Sequence, residues 1–243
     1  MARRPSARAP SITDRAAASA RPSRSVERGD TDTPYGRATS LHSRGDGCLG
    51  GAATLAAMAF TPLRTERLLL RAMTLADAPA LAERRSDPST AQYQGWTIPY
   101  PLERAEHLIE NVLSAADIVP GEWFQLAIER LQDRVVVGDL AVHLSENART
   151  AELGYTLDPA DRGRGYATEA ARRLIDHLFE DLHVHRIEAN AHPENAASIA
   201  VLSRLGFRPE GVRRESYWVG ETVSDDAIFG LLRSDRLTAP TPG

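Results

Sequence analysis

Lysine is missing from all 243 residues, so the 29 basic side chains are arginines throughout. Its absence removes lysine Schiff-base chemistry and the lysine that a P-loop nucleotidase sets against its phosphates. Cysteine occurs once, as Cys48. That excludes an intrachain disulfide framework and any multi-cysteine metal site, and leaves a reducing compartment, the cytoplasm, as the expected location. Long apolar runs are lacking too: the small-residue stretch from Gly50 to Phe60 is too short and weakly apolar to span a bilayer. There is no Gly-x-Ser-x-Gly elbow, and His183 and His185 have no third ligand at a fitting spacing. Neither a covalent acyl-enzyme nor a metal is therefore expected. A formal net charge of −4 offers no general attraction to nucleic acid or to an anionic membrane. A small-molecule or peptide partner fits better, and nothing in the sequence speaks to oligomeric state.

Composition divides the chain near residue 57. In residues 1–57 large apolar side chains are few and scattered among Arg, Ser, Ala, Pro and Gly, with nine arginines against five acidic residues. Such a segment cannot build a core. It reads either as a disordered extension or as the product of a misassigned start, with Met58 as the true initiator. The remaining residues, 58–243, carry 20 basic and 28 acidic side chains and read as a single domain.

From Phe60 onward strand-like and helix-like segments alternate. Residues 67–71 (RLLLR) predict a strand, and Thr74–Arg85 a helix with Thr74 as cap and Asp77 in capping-box position. Pro101–Ala116 carries an apolar stripe through Leu102, Ala105, Leu108, Ile109, Val112 and Leu113. Strands follow at Trp123–Glu129, Val135–Leu144 and Ala151–Leu157. Ala167–Phe179 has helical spacing, with Ala167, Ala170, Ala171, Leu174, Ile175 and Leu178 inward. A strand at His185–Ala191, a helix at Asn195–Leu205 stopped by Gly206, and a hairpin of 207–219 and 222–232 around Gly220 complete the pattern.

Between the third of these central strands and the long helix stands DRGRGYATEA, residues 161–170. Unpaired amides at a helix start and the positive end of its dipole suit a phosphate group, and Arg162 and Arg164 add charge. The glycine pair could equally serve only a tight turn. A dinucleotide fingerprint is weak here, because the third glycine position holds Thr168.

Arg162-x-x-Gly165-x-Ala167 resembles the coenzyme A pyrophosphate loop, (Gln/Arg)-x-x-Gly-x-(Gly/Ala), of the GNAT N-acetyltransferases. AELGYTLDPADRGRGYATEA resembles in particular the Rim-type branch, which acetylates the N-termini of ribosomal proteins. NAASIAVLSRLGF (195–207) is similar to that branch's second coenzyme-contacting motif, and TERLLLR and the closing hairpin to its first strand and its end. The resemblance covers Phe60 to about Arg236 and leaves out residues 1–57.

It implies an α/β (α+β) fold, a mixed, mostly antiparallel and centrally splayed sheet with helices on both faces. It also implies acetyl-coenzyme A as co-substrate. The amides of Gly163, Arg164, Gly165, Tyr166, Ala167 and Thr168 would cradle its pyrophosphate with Arg162. Main-chain groups of Tyr155, Thr156 and Leu157 would pair with its pantetheine arm, and Asn195 would join from the second motif. The reaction implied is direct acetyl transfer to a primary amine in a ternary complex, first of all a protein N-terminal α-amine. A small amine such as an aminoglycoside or polyamine is the alternative, and a non-catalytic acyl-coenzyme A binding module is another.

For a base, Glu152 on the strand before the loop is the first candidate, with a solvated strand charge as its plainer reading. Glu188 and His192 follow. A backbone amide near Leu153 or Tyr155 would polarise the carbonyl. Many family members carry a tyrosine acid where this chain has Leu202. Ser198 is the nearest other donor, although Asn195 and Ser198 also make an ordinary helix start. Tyr93, Trp96, Tyr217 and Trp218 are candidate walls of the acceptor pocket.

Overall fold

The computed structural model describes residues 59–113, 115–219 and 222–238. The leader 1–57 with Cys48, Met58 and the hairpin glycine Gly220 lie outside the described residues, as do the side chains of Val112 and Leu113. Eight strands form one sheet: β1 (Leu63–Arg64), β2 (Leu68–Ala72), β3 (Trp123–Arg130), β4 (Val136–Leu144), β5 (Thr150–Leu157), β6 (Arg186–Ala191), β7 (Arg208–Val219) and β8 (Thr222–Leu232). Their spatial order is β1-β2-β3-β4-β5-β6-β8-β7, antiparallel at every junction except the parallel β5–β6 pair. The described helices are α1 (Ala78–Ser86), α2 (Pro88–Ala91), α3 (Leu102–Leu113), α4 (Tyr166–Glu180), α5 (Ala196–Leu205) and α6 (Arg233–Thr238). The expected mixed sheet with helices on both faces is thus what forms.

Period-two alternation in β3 assigns its side chains to two cores. Phe124, Leu126 and Ile128 join Leu174, Ile175 and Leu178 of α4 in one cluster. Trp123 and Ala127 join Leu81 of α1 and Leu108 and Ile109 of α3 in the other. Helix α4 buries every residue of the stripe read from its spacing, so burial of that face against the sheet is what holds the helix in place. Three elements were not anticipated: β1, α2 and α6. Two to six residues are too few to show a period. Helix α2 is instead set locally, by Pro88 at its first turn and by Asp87 Oδ1, which accepts the Thr90 amide at 2.8 Å. The turn Leu75–Asp77 before α1 is 3₁₀ rather than α, and the Asp77 carboxylate reaches back to the Thr74 amide at 2.8 Å.

The feature that positions the site is an interrupted ladder. β5 and β6 pair only at Thr150↔Arg186, Ala151↔Ile187 and Glu152↔Glu188. Beyond Glu152, β6 follows β8 up to Ala191↔Ala227, while β5 stays with β4 down to Gly138↔Leu157. The two halves of the sheet therefore splay apart from Leu153 onward.

Candidate active site

On the β6 side, the main-chain groups of β5 past Glu152 have no ladder partner. Such an edge can hold an extended ligand as though it were another strand. Just beyond it the chain turns through Gly163 (φ 75°) and Gly165 (φ 82°) into α4. Both are left-handed, a conformation that side-chain-bearing residues avoid, and this explains the two glycines, two positions apart, that follow the strand's stop at Asp158-Pro159. The first intrahelical bond of α4 runs from Glu169 N–H to Gly165 O at 3.0 Å. The amides of Tyr166, Ala167 and Thr168 precede it and have no acceptor within the helix, the arrangement that favours an anion.

Side chains brace this turn from outside. Arg67 on the approach to β2 donates through Nε to Glu169 Oε2 at 2.7 Å and through Nη1 to Arg164 O at 3.1 Å, and it lies 4.7 Å from the centre of the Tyr166 ring. Thr65 Oγ1 donates to the other Glu169 oxygen at 2.6 Å. Burial opposes ionisation of Glu169, but the bonds from Thr65 and Arg67 outweigh it and hold the carboxyl below its usual range. Arg162 donates to the hydroxyls of Ser89 at 3.0 Å and Thr90 at 2.6 Å, tying the loop to α2. Arg164 is mostly exposed, lies 3.6 Å from Asp161, and does not line the groove.

Two hollows meet at the splay. One is a groove of about 1140 Å³ walled by β5, by α2 and the segment after it, by the turn into α4, and by faces of α4 and α5 that extend to Asp176 and Arg204. It contains Tyr155, Thr156, Leu157, Arg162, Gly163, Gly165, Tyr166, Ala167, Thr168, Asn195 and Ser198, so all but one of the expected coenzyme contacts, Arg164, line one groove. The other is a cavity of about 100 Å³ bounded by β5, β6, the β7–β8 hairpin and the segment after α2. Glu152 and His192 line it. Tyr93, Gln94, Tyr155, Thr156, Asn195 and Ser198 belong to both hollows and mark where they join.

The remaining candidates separate. Glu188 is held by Arg186 Nε at 2.8 Å and lines neither hollow. Trp96 is buried in the second core, its indole N–H donating to Arg85 O at 2.8 Å, and Trp218 lines neither hollow. Their large aromatic surfaces suggested walls, but Trp96 fills a core instead. Tyr93 and Tyr217 do line the cavity. Asn195 caps α5 by accepting the Ser198 amide at 3.1 Å, so the helix-start reading and placement at the junction hold together.

Two of the expected side chains meet in the cavity wall, where Tyr93 stacks on His192 with ring centres 4.9 Å apart. Asp139, Asp225 and Asp226 also reach that wall and were not anticipated. Nothing in the local spacing marks these carboxylates, since Asp139 lies on β4 and the other two on β8. His192 Nδ1 accepts a hydrogen bond from the Glu194 amide at 3.1 Å, which fixes the ring against the following loop.

The profile of the Acetyltransferase (GNAT) domain matches residues 67–208. The chain belongs to the GNAT acetyltransferases. It is 34% identical over 175 residues to the uncharacterized N-acetyltransferase p20 of Bacillus licheniformis, covering 71% of this chain and 97% of that one. It is 32% identical over 83 residues to the [Ribosomal protein uS5]-alanine N-acetyltransferase of Escherichia coli, 34% of this chain and 43% of that one. Among solved structures, Mycobacterium smegmatis RimJ in complex with CoA-disulfide superposes with a TM-score of 0.63 at 26% identity, covering 74% of this chain and 88% of that one.

GNAT enzymes take acetyl-coenzyme A as co-substrate, and the residues here fit it. The open β5 edge suits the amides of a pantetheine arm, the amides entering α4 suit a pyrophosphate, and the groove is large enough for the whole molecule. Membership of a family of acetyltransferases also sets aside the reading of the chain as a mere binding module. Among the described residues no helix is long and apolar enough to cross a membrane.

Proposed function

We propose that this GNAT enzyme acetylates the α-amine of a protein N-terminus, with Glu152 as base and Ser198 as donor to the departing sulfur. The observation that carries the reading is the small cavity at the splay. At about 100 Å³ it suits the first residue of a chain, with a small side chain, better than a bulky aminoglycoside. Carboxylates of Glu152 and Asp225 in its wall favour a cationic amine. The relative named for alanine acetylation on ribosomal protein uS5 supports the same class. An α-amine has an ordinary pKa of about 7.7–8.0, so little help is needed to free its lone pair.

Acetyl-coenzyme A supplies the activated acetyl thioester. The amine nitrogen forms the new bond to the acetyl carbon as the carbon–sulfur bond breaks. Glu152, directly or through one water, takes the proton that nitrogen sheds. The sulfur keeps the electron pair and leaves as a thiolate hydrogen-bonded by Ser198, then takes a proton from solvent. A main-chain amide of the unpaired β5 edge, near Leu153 or Tyr155, polarises the carbonyl.

The test is coenzyme A release from acetyl-coenzyme A with a panel of acceptors: peptides beginning with Ala or Ser, the same peptides blocked at the N-terminus, spermidine, and an aminoglycoside. Turnover with the free peptides alone is expected. Turnover confined to spermidine or the aminoglycoside moves the enzyme to the small-amine class.

A further inference from the structure

Leu202 leaves α5 without the tyrosine hydroxyl that a proton donor would use, and Leu202 is buried in the main core with 1% exposure. One turn earlier on the helix, Ser198 meets another tyrosine that arrives from the facing strand. Tyr155 Oη lies 2.8 Å from Ser198 Oγ and 3.0 Å from Ser198 O. Both residues line the groove and the cavity, at the junction where the thioester and the amine must meet.

From this geometry we infer that Tyr155 is a positioning residue: its phenol orients the Ser198 hydroxyl as a hydrogen-bond donor to the leaving sulfur. The inference rests on the role proposed above for Ser198. A phenol has one hydrogen and here two acceptors within reach. When it donates to the Ser198 carbonyl, it accepts the serine hydrogen, and Ser198 offers nothing to the groove. When it donates to Ser198 Oγ instead, the serine hydrogen is released to point at sulfur. A short swing of one hydroxyl thus turns Ser198 from a spent donor into an available one, without moving a heavy atom.

No proton leaves Tyr155 in this scheme. Burial pushes its phenol up to about 12, only partly offset by the bond to Ser198, so it persists as the protonated donor while a thiol of ordinary pKa near 8.5 departs as thiolate. The neighbouring groups are consistent with that role: Asn195 fixes the Ser198 backbone, and Tyr93, Gln94 and Thr156 complete the junction without an ionised side chain among them.

The experiment compares wild type, Tyr155→Phe, Ser198→Ala and the double variant in the 243-residue chain, with acetyl-coenzyme A and an Ala-initiated peptide. Turnover is expressed per coenzyme-binding equivalent from calorimetric titration, so that a misfolded fraction does not enter the number. Expected is a fall in kcat of about tenfold for Tyr155→Phe, the scale of one lost hydrogen bond. KM for acetyl-coenzyme A should stay within about twofold, and the double variant should be no slower than Ser198→Ala. If Tyr155→Phe keeps wild-type kcat while Ser198→Ala is slow, or if the two losses multiply, the role of Tyr155 is overturned and that of Ser198 stands. Full activity of Ser198→Ala overturns the serine reading itself, and this one with it.

Discussion

Arg162 occupies the position where a phosphate-binding arginine belongs, yet its guanidinium is spread over the Ser89 and Thr90 hydroxyls. It can therefore serve two walls of the groove, bracing α2 while keeping its charge beside the turn. Glu152 makes the sharper claim. It is the last β5 residue paired with β6, so the backbone holds it at the fork while its side chain lines the small cavity. Glu152→Gln keeps the shape and removes the basic oxygen. A loss of kcat of about 10²-fold or more is expected, with titrated acetyl-coenzyme A affinity unchanged. Unchanged turnover would return Glu152 to an ordinary strand charge. Two carboxylates, Glu152 and Glu188, and the imidazole of His192 were candidates by residue type and position, but only the fold shows that Glu188 is held by Arg186 while Glu152 and His192 line the cavity.

The start of α4 is an element whose stability and chemistry are joined. Its left-handed glycines turn the amides of Tyr166, Ala167 and Thr168 toward the groove, and Glu169 in the first turn is tied to Thr65, to the Arg67 amide and to the Arg67 guanidinium. A carboxylate there complements the helix dipole. The carboxyl pKa of Glu169 is lower in the folded chain than in the unfolded one. Its contribution to stability is thus present above the unfolded value of about 4.3 and is lost as pH falls through the folded value. Glu169→Gln is expected to unfold at lower denaturant concentration than wild type at pH 7, and the gap should narrow progressively below about pH 4.3. Denaturant unfolding of both chains at pH 7, 5 and 3.5 checks this; a gap that is independent of pH would mean that the charge of Glu169 contributes nothing.

Across the molecule, a buried charge network joins the helices on one face to the strand that carries the site. Arg84 of α1 has no exposed side-chain surface and donates to Asp139 of β4 at 2.8 Å and to Asp158, after β5, at 2.6 Å. Gln125 of β3 donates to the second Asp139 oxygen. Arg85 reaches the Tyr100 hydroxyl at 3.0 Å and lies 4.5 Å from the Trp96 ring centre, so aromatic faces take the place of some hydrogen bonds around its guanidinium. Removing one partner of such a network leaves its counter-charge buried. Arg84→Ala should cost about 3–5 kcal/mol in denaturant unfolding at neutral pH. A cost below about 1 kcal/mol would show that Asp139 finds water or another partner.

The helices and strands long enough to carry a period were legible from residue order alone, as were the glycines of the turn and the cap at Asn195. Each depends on neighbours a few positions away: a stripe every 3.6 residues, alternation by two, a left-handed turn that glycine permits. Where β5 leaves β6 was not legible from that order by itself, and entered only through resemblance to a family. Which side chains meet there was wholly a matter of the tertiary structure. Tyr155 and Ser198 are 43 residues apart, Arg162 and Thr90 72 apart, and Arg84 and Asp139 55 apart. Such meetings are decided by which strands are neighbours and by what the two cores exclude. Residue order determined the parts and the glycine turn into α4; packing across the sheet determined the junction where the groove and the cavity meet.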